Sequence, residues 1–150
     1  MYKKRIIKKR KGERTMSNES ISVLLVEPHK YPRMIEIEDS LESMQAVVGG
    51  RIEEYMPFED DVAIVCNEEG KIKGDVLNRA IYSDNHEIQD IIAGKFFICY
   101  APIESESFLS LPNDLARKYE EKFKKPERFF KEDGNIIAIP YTPKSKEPER

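Results

Sequence analysis

The residues best suited to chemistry lie in the run Cys66-Asn67-Glu68-Glu69-Gly70-Lys71 and, shortly after it, in Asn78-Arg79. An arginine guanidinium is a planar fork of N–H donors that grips a carboxylate or phosphate bidentately. An asparagine amide beside it adds a donor and an acceptor. Asn67, Asn78 and Arg79 therefore form a candidate site for a small anion or a nucleotide. Glu68, Glu69 and Asp90 are further candidate ligand- or partner-binding positions. The competing arrangement is internal, with Arg79 paired to an acidic neighbour such as Glu68 or Asp90.

Other chemistry is weakly supported. His29 lies in the proline-flanked turn 27–32 and His86 in the polar stretch 83–87, neither with a Cys or Ser partner in the local sequence. Both read as surface histidines. Gly49-Gly50 follows a helical pattern, whereas phosphate-binding glycines open a helix, so these read as a cap. Glu53-Glu54 and Glu59-Asp60-Asp61 lack calcium-loop spacing and read as a solvated acidic surface. No P-loop, dinucleotide glycine motif, nucleophile elbow, HExxH or CxxC occurs. The expectation is a non-enzymatic protein with no catalytic residues, no metal site and no cofactor.

The elements that would position these residues follow from periodicity. Ile21–Val26 is almost wholly apolar and β-branched, so it predicts a central strand. A turn and an alternating strand, Met34–Glu38, come next. Leu41, Met44 and Val48 mark a helix with Asp39 and Glu42 as capping box and Gly49 as C-cap. Strands are expected at 51–56, 62–66, 71–73 (a short edge strand), 96–101 and 136–139. Val76, Leu77, Ala80 and Ile81 fit one face of a short helix, which leaves Asn78 and Arg79 pointing outward. Ile88, Ile91 and Ile92 suggest a helical turn ended by Gly94. Pro112 opens a helix whose inward stripe is Leu115, Tyr119 and Phe123. The fold class is α+β: a small mixed or antiparallel sheet with a strand–strand–helix, β-grasp-like opening, packed with two longer helices and short helical turns.

Cys66 and Cys99 both sit in buried-strand patterns, so they read as free core thiols of a reducing cytoplasm. A bridge between them would need neighbouring strands and suitable geometry. No apolar run is long enough to span a membrane. The net charge of −3 hides an uneven layout: +7 over residues 1–15, −12 over 16–111 and +2 over 112–150. Residues 1–19 are expected as a basic leader, disordered or non-native. The codons of Lys11-Gly12-Glu13 can carry a ribosome-binding sequence, which would make Met16 the physiological start. Residues 20–141 are expected as one domain and 142–150 as a disordered tail. The acidic body favours a protein partner with a basic surface and weighs against nucleic acid. A DNA-binding alternative would use the basic arm and the Lys-rich segment 118–131.

A resemblance runs through Val48-Gly49-Gly50-Arg51-Ile52-Glu53, Pro57-Phe58, Cys66–Lys71, Leu77-Asn78-Arg79-Ala80 and Asp90–Ile98. In combination these segments resemble an uncharacterised domain family of Gram-positive bacteria and their plasmids, conjugative elements and phages. The resemblance covers about Ile21 to Phe123 and brings no catalytic residues with it. It implies a context, the accessory genes of mobile elements, where antirestriction and other anti-defence proteins are common.

Overall fold

A computed structural model describes residues 3–6, by their backbone, and residues 19–143. The elements run β1 (Lys3–Ile6), β2 (Ser20–Val26), β3 (Arg33–Glu38), α1 (Leu41–Val48), β4 (Ile52–Met56), β5 (Val62–Asn67), α2 (Gly70–Lys73), β6 (Leu77–Tyr82), β7 (Ile88–Ala93), β8 (Phe96–Tyr100), α3 (Asn113–Lys122), β9 (Glu127–Glu132) and β10 (Asn135–Pro140). Six strands form one sheet in the order β1-β4-β5-β8-β2-β3, antiparallel at every pairing. Two hairpins, β6–β7 and β9–β10, stand apart from it. The fold is α+β, as the sequence predicts.

The sheet is buried on both faces. One face carries Leu24, Val26, Ile64, Phe96 and Ile98 and packs on Tyr119 and Phe123 of the α3 region and on Ile81 and Ile92 of the β6–β7 hairpin. The other carries Val23, Ala63, Val65 and Phe97 and packs on Met44 and Val48 of α1. Every residue of β5 is buried. Such continuous apolar runs are what a strand covered on both sides requires. Cys66 and Cys99 sit on adjacent strands but belong to opposite faces, and both are buried. Side chains alternate across a strand, so no bridge can join them.

Several expectations are corrected. The 75–82 helix is the strand β6, and the turn around Ile88 is its partner β7. Register shifts between Leu77/Arg79 and Ile81/Tyr82 disturb the two-residue alternation, so the apolar spacing imitates a helix. The short edge strand at 71–73 is the helix α2, ended by Gly74 at φ 82°. The N-cap of α1 is Ser40 rather than Asp39, its hydroxyl accepting from the Ser43 N–H at 3.1 Å. Gly49 is the expected left-handed cap, at φ 87°. Glu54, read as surface, is 1% exposed, on the same strand face as Ile52.

Within the leader expected over residues 1–19, Lys3–Ile6 forms β1 against β4, with Arg5 in register with Glu54. This pairing occupies the edge that β4 would otherwise leave open. The remainder of the leader, and tail residues 144–150, lie outside the described residues. Sequence reading also missed β9, whose charged pattern hides a strand in hairpin with the expected β10.

Candidate functional site

The candidate residues divide into two places, and neither leaves a guanidinium free for a ligand. Asn78 and Arg79 are each 1% exposed. Arg79 Nε donates to Phe123 O at 3.0 Å, and its Nη2 to Lys30 O at 2.8 Å. Nη1 donates to Asn78 Oδ1 at 2.9 Å and reaches Glu27 O at 3.4 Å. Asn78 Nδ2 in turn donates to Val26 O at 3.0 Å and Gly94 O at 2.8 Å. The outward-pointing expectation for this pair is therefore corrected. The two side chains strap β6 to the C-terminal end of α3 and to the turn after β2. Apart from the Asn78 Oδ1 that Arg79 itself bonds, their acceptors are backbone carbonyls, which a buried polar network must satisfy. Burial pushes the Arg79 guanidinium down to about 10, against the pull of the Glu127 charge.

Asn67, Glu68 and Asp90 do come together, around a cavity of about 230 Å³ that Tyr55, Cys66, Lys71 and Ile91 also line. Asn67 Nδ2 donates to Val48 O at 3.3 Å, and Asn67 Oδ1 accepts the Glu69 N–H at 2.8 Å, fixing the end of α1 to the end of β5. Gly50 lies under this amide, because a Cβ there would stand 2.9 Å from Asn67 Nδ2. Glu68 pairs with Arg51 at 3.2 Å, and exposed Glu69 lies 3.9 Å from the same guanidinium. Asp90 pairs with Lys71 at 2.8 Å. Arg79 thus pairs with neither Glu68 nor Asp90. The cavity is below the ~300 Å³ where drug-sized ligand sites begin, too small for a nucleotide.

Sequence reading missed Glu127, Tyr82 and the pair Asp60–Tyr119. Glu127, 6% exposed, accepts from Ala80 N at 2.7 Å and from the Tyr82 hydroxyl at 2.6 Å. The Tyr119 hydroxyl donates to Asp60 Oδ2 at 2.8 Å, and Lys118 Nζ lies 2.6 Å from the same oxygen. These bonds, Lys118 first, hold the Asp60 carboxyl below its ordinary range. Each pair is 45 or more residues apart in sequence, beyond any local motif. His29, at φ 67°, has its Nδ1 2.6 Å from the Tyr141 hydroxyl. Among the described residues, no group of three or more His, Cys, Asp or Glu is placed to hold a metal ion, and no helix is long and apolar enough to cross a membrane.

Part of the exposed acidic charge lies at one end of the large sheet. The loops 57–61 and 101–107 are joined there by the Ala101 N–H donating to Asp61 O at 2.8 Å. Glu59, Asp61, Glu104 and Glu106 are exposed on them, and none forms an ion pair among the described residues. Ile103, between Pro102 and Glu104, is 79% exposed. Four exposed carboxylates and one bare aliphatic side chain on two joined loops make a surface for a cationic, partly apolar partner.

Taken together, the antiparallel sheet buried on both faces and its polar side chains bonded to its own backbone define an α+β domain stiffened by internal struts. Residues 21–124 match the family model described as a domain of unknown function, DUF3846, and the chain belongs to that family. No curated protein and no solved structure matches it.

Proposed function

We propose that this is a non-enzymatic acidic accessory protein that acts by binding another protein. The observation that supports this reading is the acidic end: Glu59, Asp61, Glu104 and Glu106 exposed, together with Ile103, on two joined loops. Residues 16–111 carry −12, so a basic partner is drawn to this body and steered on approach. Ile103, 79% exposed on the same loops, supplies an apolar anchor beside the charge. The small-anion reading has lost its principal group, since Arg79 is spent on protein acceptors. The mobile-element context implied by the sequence resemblance would make the partner a basic component of host defence, such as a nuclease. An anti-defence or regulatory role in the cytoplasm follows from that context.

The test compares the wild-type chain with a variant carrying E59Q, D61N, E104Q and E106Q, and with I103A, each as bait in host lysate. A stoichiometric partner held by the wild type, released by raised salt and lost from both variants supports the reading. Absence of any stoichiometric partner, or equal retention by all three baits, overturns it.

A further inference from the structure

The β9–β10 hairpin lies beyond the residues that match the family and presents an apolar face to solvent. The register pairs Ile139 with Arg128, Ile137 with Phe130 and Asn135 with Glu132, so these six side chains share one face. Phe130 is 51% exposed and Ile139 49% exposed, with Ile137 half-buried between them. The opposite face carries Glu127, which bonds to β6, so that face looks toward the body. Two-stranded sheets are marginal without a third layer or a covering partner.

The geometry points to a second copy of this chain as the cover. Arg128 and Glu132 stand at equal distances on either side of Phe130 along β9. A two-fold axis lying in the interface and crossing the strands at Phe130 and Ile137 stacks each on its own copy. It also brings Arg128 of each protomer to Glu132 of the other. The alternative two-fold, along the strands and midway between them, would set Arg128 over Ile139 and Glu132 over Asn135 and leave both charges without a partner. The face is thus complementary to itself in one orientation, as an isologous dimer requires. The surrounding charge opposes contact least here: residues 112–150 carry +2, whereas residues 16–111, at −12, repel a second copy more strongly. No residue of this face belongs to the acidic loops, so its test is independent of theirs.

The whole chain is examined by analytical ultracentrifugation at rising concentration to roughly 300 µM, enough to populate a dimer with a small interface. The expected mass climbs from 17.5 kDa toward twice that value. Phe130→Glu abolishes the rise. Arg128→Glu and Glu132→Arg each weaken association roughly tenfold, and the double exchange restores it. Arg128 also stacks on the Tyr141 ring at 4.3 Å, so R128E alone would not separate a local defect from a lost contact. Rescue by E132R does separate them, with circular dichroism confirming that each variant is folded. A chain that stays monomeric at the highest concentration overturns the proposal, even if the face binds lipid vesicles or another protein. A dimer indifferent to F130E, or one that the double exchange leaves broken, overturns it as well.

Discussion

The Tyr82 hydroxyl donates to Glu127 Oε2 at 2.6 Å while the Ala80 N–H donates to Oε1 at 2.7 Å, so one buried carboxylate fastens the β9–β10 hairpin to β6. Burial, and then this bond, push the Tyr82 phenol above its usual range. Burial and the bond to Asp60 do the same at Tyr119. A group whose folded value is raised contributes stability that is complete below its unfolded value and declines as pH climbs past it. Arg79, lowered by burial to about 10, runs the opposite way and recovers stability only as pH climbs past that value. Two phenols against one guanidinium leave a net loss. Stability in urea titrations is therefore expected to hold through neutral pH and to fall above about pH 10, the unfolded phenol value. Tyr82→Phe and Tyr119→Phe should each flatten that fall, and a wild-type profile level to about pH 11.5 would contradict the assignment.

Arg79→Lys keeps the charge and loses the fork. A lysine ammonium cannot reach Phe123 O, Lys30 O and Asn78 Oδ1 together, so buried acceptors are stranded. The expected cost is about 2–4 kcal/mol, read as a lowered denaturation midpoint at unchanged slope. An unchanged midpoint would show that the strap contributes nothing.

Gly70 opens α2 against the end of β7, where a Cβ would stand 2.8 Å from the Ala93 carbonyl oxygen. Backbone cannot yield cheaply, so Gly70→Ala should cost about 1–3 kcal/mol. Gly74→Ala tests a different term. No atom lies within 4 Å of a Cβ there, but φ is 82°, so only the smaller conformational penalty applies. Thermal melts of the two variants should rank Gly70→Ala as the more damaging, and the reverse order would mean the close approach relaxes freely.

Cys66 and Cys99 face opposite sides of the sheet, so a mild oxidant should leave the mass of the folded protein unchanged and produce no intramolecular bridge. Thiol reagent should react slowly in native buffer and with both cysteines after denaturation. A bridged species in mass spectra of the folded chain would contradict the strand parity.

What the amino-acid sequence determined by itself is the set of segments whose character is local. Val62–Cys66 and Phe96–Tyr100 are apolar along their whole length, which only strands buried on both faces tolerate, and Gly49 can end α1 because a left-handed residue costs glycine little. The α+β class followed from these. The tertiary structure alone decided β6 and β7, where irregular pairing removed the alternation that marks a strand. It decided the candidate site too. Asn78 and Arg79 have the chemistry of an anion cradle, but whether a guanidinium meets a ligand or a carbonyl depends on what the fold sets around it. Here Phe123, Lys30 and Glu27 supply that surrounding from 44, 49 and 52 residues away. Residue type states what a side chain can bond. Long-range packing states what is left for it to bond, and no local spacing encodes that.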